Sequence, residues 1–303
     1  MTTLLKLFKI LFTRAAFLYV LIYLLCSWLI NSDVVKTGTV VRILNDLMPS
    51  AYQSLTAYEK PIPAKELESY IQYYAKVSSY FPQMPDAFGL LGYCYFRKGD
   101  QENALLSLRQ AAALNRHFFW FHYNLGVLFY KTGQYELAVQ AIKKSIETKP
   151  EMALIFLKTS RLYQHILLSQ GKSNAEITQS LNDGYQKSFE LLISSYDHLK
   201  DYKSMYQIAS YAQTRNMENS GTFAFWAGLA QFRLKDYPTA AYFFNESIKK
   251  DPHDPQAFTY LALSLKNFGQ EKLAETALLQ AALLNKKYPS RDRTELTYGM
   301  QIY

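Results

Sequence analysis

The side chains of this chain that could do acid-base, nucleophilic or metal chemistry are five histidines, two cysteines and one close pair of aspartates. His117, His122, His165, His198 and His253 include no pair at the i,i+4 spacing that sets two imidazoles on one helix face for zinc, and no His-Glu-x-x-His pattern. The glycine-framed serine of a nucleophile elbow, the phosphate-cradling P-loop, the dinucleotide fingerprint and Cys-x-x-Cys are absent as well. Asp251 and Asp254 flank Pro252 in "KKDPHDPQ", and two such carboxylates could serve acid-base chemistry or calcium. Asp254, however, directly precedes Pro255 at an expected helix start, which is where an aspartate caps a helix. His122 stands among Trp120, Phe121 and Tyr123, the setting of a packed or groove-facing imidazole rather than a ligand. Cys26 lies in an apolar run and Cys94 inside a helical pattern, so both read as small buried side chains. The expectation is a protein with no catalytic residues, no metal site and no cofactor.

What, then, do the remaining residues position? Aromatics make up 16% of the chain, with 25 Tyr and 19 Phe against 12 Gly and 10 Pro, which disfavours both disorder and a turn-dense β sandwich and favours helices. The net charge of +8 comes from basic residues scattered among acidic ones, without the basic stripe that nucleic acid requires, so a solvated surface and no nucleic-acid partner are expected.

Residues 10–30, "ILFTRAAFLYVLIYLLCSWLI", carry a single charge, Arg14. At 1.5 Å per residue, residues 15–30 span about 24 Å, and residues 10–13 with a snorkelling Arg14 extend that towards the ~30 Å hydrocarbon layer. Trp28 sits where an interfacial aromatic would. A cleaved signal peptide shares the basic start and apolar middle, but no small-x-small site follows in "CSWLINSDVVK". Leu25 before Cys26 argues against a lipid-attachment cysteine. The reading is a single-pass membrane anchor at 1–32. Lys6, Lys9 and Arg14 precede the span, while the charges that follow it balance, so the amino terminus is expected in the cytoplasm and the remainder in the periplasm of a bacterial inner membrane. A connector at 33–62, with Val40, Val41, Leu44 and Leu47 at helical spacing, leads into the rest.

That remainder repeats itself. Gly92 and Gly126 are 34 residues apart, as are Ala104 and Ala138, and Ala240 and Ala274, while Ala138 and Ala240 are separated by 102, three times 34. Each copy places Gly or Ala where two helices of a hairpin would cross closely, and polar turns such as "RKGDQE" and "KTGQYE" join them. These residues resemble the tetratricopeptide repeat family, whose signature is W-x2-L-G-x2-Y, A-x3-F and P. The first copy has Phe88, Leu91, Gly92, Tyr95, Ala104 and Leu108, and the second Leu125, Gly126, Phe129, Ala138, Ile142 and Pro150, with His122 in the bulky aromatic place. A later copy has Gly228, Ala240, Phe244 and Pro252, and the last Phe258, Leu261, Ala262, Leu265, Ala274, Leu278 and Ala281. The resemblance implies a solenoid of helix pairs in a right-handed superhelix, so with the apolar segment before it the expected fold is all-α, an N-terminal transmembrane helix followed by that solenoid. It extends over 63–289: a capping half repeat at 63–84, units at 85–118, 119–152, 221–254 and 255–288, two divergent units at 153–185 and 186–220, then a tail at 289–303.

In this family the first helix of each pair lines the concave face. Mapped here, that face comprises Tyr93, Phe96, Arg97, Trp120, Tyr123, Val127, Tyr130, Lys131, Phe225, Leu229, Phe232 and Arg233. Aromatics at such spacing equally serve a core, and the cations could merely solvate a rim. A row of cations beside an apolar strip suits an extended or helical peptide with acidic residues. Trp120→Ala with Tyr123→Ala is therefore expected to weaken capture without unfolding the domain. The chaperone-tail clamps of the family fit poorly: Asn124 matches one clamp place, but Gly89 and Tyr93 stand where Lys and Asn open it. The expected function is a membrane-anchored scaffold that holds a protein partner in envelope assembly, in secretion, pilus or surface-glycan machinery. The alternatives are a regulatory subunit of a membrane enzyme or a cytosol-facing precursor receptor.

Overall fold

The computed structural model describes residues 18, 19, 21–23, 25, 62–148, 150–160, 162, 163, 171, 173–214 and 220–287. The chain divides into two units, Met1–Leu55 and Thr56–Tyr303. In the first, the six described positions are helical and exposed. No helix among the described residues is long and apolar enough to cross a membrane. Apart from those six positions, the anchor expected at 10–30 lies outside the described residues, as do the connector before residue 62 and the tail at 289–303.

The second unit is an all-helical solenoid, and no strand occurs among its described residues. Its helices are α1 (Ala64–Tyr80), α2 (Pro85–Lys98), α3 (Gln101–Leu114), α4 (Phe119–Lys131), α5 (Tyr135–Glu147), α6 (Pro150–Thr159), α7 (Asn174–His198), α8 (Tyr202–Thr214), α9 (Ser220–Arg233), α10 (Tyr237–Lys250), α11 (Pro255–Asn267) and α12 (Glu271–Lys287). α1 packs on α2, and the hairpins α2/α3, α4/α5, α7/α8, α9/α10 and α11/α12 follow, each touching the next.

One turn chemistry makes all five hairpins. The first helix ends in a residue with positive φ: Gly99 (86°), Gly133 (72°), Lys200 (58°), Lys235 (65°) and Gly269 (82°). The amide of the following residue then reaches back five positions, as in Asp100 N to Tyr95 O at 2.9 Å and Asp236 N to Gln231 O at 2.9 Å, which satisfies a helix-end carbonyl. In the three hairpins where that residue is an aspartate it also caps the second helix: Asp100 accepts from Asn103 N at 3.1 Å, Asp201 from Ser204 N at 3.2 Å and Asp236 from Thr239 N at 3.3 Å. A two-residue turn therefore closes one helix and starts the next, which fixes the hairpin tightly. Inside the hairpin, a Cβ on Gly92 would come within 2.7 Å of Leu108, and one on Gly126 within 2.2 Å of Ile142, so the helices cross where only hydrogen fits.

The middle of the chain departs from the expected repeats. At the boundary expected between residues 185 and 186 the chain does not break: α6 spans Pro150–Thr159, and residues 174–185 run on into the helix of the next unit, giving the 25-residue α7. A capping box starts α7, with Ser173 N donating to Glu176 Oε2 at 2.7 Å and Glu176 N donating to Ser173 Oγ at 3.3 Å. No positive-φ residue interrupts it. The carboxyl half of α7 takes the slot beside α4 and α5, where Ser188 bonds Ser145 (Oγ to Oγ, 3.0 Å) and the Tyr185 hydroxyl donates to Ile146 O at 2.8 Å. The unit predicted at 186–220 matches this half of α7 plus α8, with Phe189, Leu192, Tyr196, Met205 and Ala212 buried.

Candidate functional site

Because the units share one register, side chains of the first helices α2, α4, α7, α9 and α11 form rows that run across the stack. The rows nearest the amino ends are closed. Trp120 lies edge-on to Tyr123 (centroids 5.2 Å) and against Phe119 (4.4 Å), and a Cβ on Gly184 of α7 would fall 2.0 Å from its ring. Phe225 packs edge-on to Tyr260 of α11 at 5.7 Å and to Phe244 at 5.6 Å. The indole N–H groups of Trp120 and Trp226 are buried with no hydrogen-bond partner.

The chain also covers this end with a strap of its own. Phe156 of α6 and Tyr163 pack on Phe118 at centroid distances of 4.6 and 5.4 Å. The Ser160 hydroxyl donates to the buried carboxylate of Asp86 on α2, and Tyr163 N donates to Ser160 Oγ at 3.2 Å. Burial pushes the Asp86 carboxyl above its ordinary range, with hydrogen bonds from Ser160 and neighbouring backbone amides acting the other way.

Of the twelve residues mapped to the concave face, six are therefore interior: Tyr93, Trp120, Tyr123, Val127, Phe225 and Leu229 are at most 2% exposed. They fill the seams between neighbouring first helices, so they offer no open surface in this structure. Truncating Trp120 alone would cost about 3–5 kcal/mol of stability, so the double truncation of Trp120 and Tyr123 probes folding, contrary to the expectation from sequence.

The other six lie together on the rim at the carboxyl ends of the first helices. Phe96, Arg97, Tyr130 and Phe232 are half-buried, and Lys131 and Arg233 are exposed. The Arg97 Nη1 donates to the Tyr93 hydroxyl at 2.7 Å, and the Lys131 ammonium sits 5.6 Å from the centre of the Phe96 ring, which holds each cation over an aromatic of the same or adjacent helix. Phe232 meets Tyr237 at 5.6 Å and Tyr260 at 5.7 Å. The rim continues through α7 by residues that the motif search passed over. His198 stacks on Tyr135 at 4.3 Å and its Nε2 is 2.9 Å from the Tyr130 hydroxyl, which also bonds Ser194 at 2.8 Å. Burial raises the Asp197 carboxyl, and Arg233 and His198 pull it back down. A strict 34-residue count from Lys131 falls on Leu199 and misses His198 by one; the turn finds it, since His198 stands two residues before Lys200 as Arg97, Lys131 and Arg233 stand two before Gly99, Gly133 and Lys235.

The other groups singled out in the sequence sit in local contacts where they are described. His122 Nε2 meets the Arg116 carbonyl at 3.2 Å, and burial lowers its pKa. Asp254 accepts from Gln256 N at 3.0 Å and Asp251 from His253 N at 3.2 Å, as caps do. Burial pushes the Cys94 thiol far above its ordinary range, while Cys26 lies outside the described residues. Among the described residues no three His, Cys, Asp or Glu side chains converge as metal ligands.

Comparison with known proteins places this geometry in a class. Residues 92–133 match a TPR repeat model, and residues 121–152 and 208–255 match tetratricopeptide repeat models. The matched residues fall in α2 to α5 and again around α8 to α10. Among solved structures, that of MamA protein is similar at 14% identity and a TM-score of 0.52, covering 72% of this chain and 100% of that one. YrrB, described as a TPR protein with an unusual peptide-binding site, is similar at 15% identity and a TM-score of 0.50, covering 73% of this chain and 95% of its own. At these identities the likeness is one of fold. No curated protein matches the chain.

Proposed function

We propose that this chain is a non-catalytic scaffold for protein–protein interaction, tethered to a membrane through residues 10–30, which holds an acidic peptide or helix of a partner along the rim of its first helices. One observation carries the reading: Phe96, Arg97, Tyr130, Lys131, Phe232 and Arg233 keep accessible surface while the rest of the mapped face is packed away or covered. Half-exposed rings beside cations recognise a segment whose carboxylates meet the cations and whose apolar side chains lie on the rings. That such repeats hold proteins, and that YrrB is described as having a peptide-binding site, supports the same reading. The partner belongs to an assembly at the cell envelope, with the helical repeats on the periplasmic side.

Peptide selection on the full chain in detergent tests the rim. Selected sequences should be acidic with interspersed apolar residues. Reversing Arg97, Lys131 and Arg233 to Glu should weaken retention by about three- to a hundredfold, since exposed ion pairs contribute about 0.2–1 kcal/mol each. Selection of neutral or basic sequences, or retention indifferent to the triple reversal, would exclude the rim. A reporter fused after Tyr303 tests the side of the membrane, and cytoplasmic activity would refute the periplasmic placement.

A further inference from the structure

Four first helices end in the same two-place pattern. Three and two residues ahead of the positive-φ turn residue stand Phe96 and Arg97 in α2, Tyr130 and Lys131 in α4, Asp197 and His198 in α7, and Phe232 and Arg233 in α9. The second member of a pair acts on the first member of the pair before it. The Lys131 ammonium lies 5.6 Å from the centre of the Phe96 ring, His198 Nε2 lies 2.9 Å from the Tyr130 hydroxyl, and the Arg233 charge favours the ionised Asp197 carboxyl. α4 touches α7 and α7 touches α9, so His198 stands between Lys131 and Arg233 in the row. Three of the four places hold arginine or lysine. The fourth holds an exposed imidazole, the side-chain type that gains its charge as pH falls through the neutral range.

The surroundings accept either state of that imidazole. Tyr130 can donate to a bare Nε2 while Ser194, 2.8 Å away, donates to the Tyr130 oxygen. Once Nε2 carries a proton it donates to the Tyr130 oxygen, and the Tyr130 hydroxyl turns to Ser194 Oγ. Only hydroxyl hydrogens move. The imidazole also lies flat on the Tyr135 ring, 4.3 Å between centroids and 3° between planes, and an aromatic face attracts a cation. Burial holds the Tyr130 hydroxyl above its ordinary range, so it stays neutral while imidazole titrates. On α8, hydrogen bonds from Ser204 hold the Asp201 carboxyl below its ordinary range, with Lys143 and Lys203 adding to the effect, so it stays ionised. Burial raises the half-buried Asp197 carboxyl against the pull of Arg233 and His198, so any proton it takes up as pH falls removes a negative charge beside His198. Both changes have one sign: acid makes this stretch of the rim more positive. We propose that His198 is a pH-dependent member of the cation row, which, resting on the capture of acidic segments along the rim, makes the rim hold such a segment more tightly in mild acid than at alkaline pH.

The probe is a labelled peptide of Asp with interspersed Leu, whose carboxylates stay ionised above about pH 5. It is titrated onto the full chain in detergent at low salt, at about pH 8 and about pH 5.5. The wild type should bind about two- to fivefold more tightly at the acid end, the worth of one exposed ion pair. His198→Gln should bind as the wild type does at the alkaline end and lose most of the gain, and His198→Arg should bind tightly at both ends, each with unchanged helical circular dichroism. Asp197→Asn should bind more tightly at the alkaline end and keep most of the gain. An affinity that does not change with pH in the wild type, or a gain that survives intact in His198→Gln, would overturn the proposal. The rim itself would then stand as long as reversing Arg97, Lys131 and Arg233 still weakens the probe. A probe that binds at neither pH, or that ignores that reversal, would overturn both.

Discussion

Gly184 shows how much one missing methyl group decides. It stands beside the boundary between the two divergent units expected at 153–185 and 186–220, where a break would have separated two helices. Instead the helix continues, because the absence of a Cβ lets the Trp120 ring lie on the backbone. An alanine in an ordinary exposed helix would gain about 1 kcal/mol over glycine. Here its Cβ would overlap the indole, so Gly184→Ala should destabilise by about 1–3 kcal/mol, measured by urea unfolding. Asp86 gives a second test at this scale. Its folded-state carboxyl sits above the unfolded value of 3.8, so its protonated form favours folding. The stability this confers is complete below that unfolded value and is lost as pH rises through the raised one. Unfolding free energies should therefore fall for the wild type relative to Asp86→Asn as pH climbs through this window, and parallel curves would show that the carboxyl titrates as if exposed. The residue types on the concave face were legible in the sequence. Their burial was not, because motif spacing assigns a side chain to a helix face without showing that rings as large as Trp120 and Phe225 fill the seam to the adjacent first helix.

At the scale of elements, the hairpins were the most legible part of the chain. The Gly or Lys followed by Asp or Gln that closes each first helix is visible in "RKGDQ", "KTGQY", "HLKDY", "RLKDY" and "NFGQE", and the structure uses all five in one conformation. Two of them place a lysine where φ is positive, at 58° and 65°. A left-handed conformation costs a residue with a Cβ about 1–2 kcal/mol, part of which a glycine returns as extra freedom of the unfolded chain. Lys235→Gly, at an exposed position, should accordingly raise stability by about 0.5 kcal/mol, seen as a higher denaturant midpoint at unchanged slope. What spacing could not show in the divergent middle is that a single helix, α7, crosses the boundary between residues 185 and 186, because a count of residues is the same whether or not a helix runs through it.

For the molecule as a whole, an array in which each hairpin touches mainly its neighbours has a stability close to a sum of local and nearest-neighbour contributions. What it presents to other molecules is therefore set by its edges and ends rather than by an enclosed centre. The rim proposed for capture is electrostatic and solvent-facing, so retention of acidic peptides should fall steeply between low and high salt, over the range where the Debye length shrinks from about 30 Å towards 3 Å. The strap bears on where such a chain tolerates a change of length. Tyr185 touches Ile146 and Ser188 touches Ser145, so residues about forty positions apart in sequence hold α5 and the carboxyl half of α7 together. Residues added or removed between those contacts would leave α5 and the carboxyl half of α7 joined, so a change of length there should disturb the array less than one inside a hairpin turn.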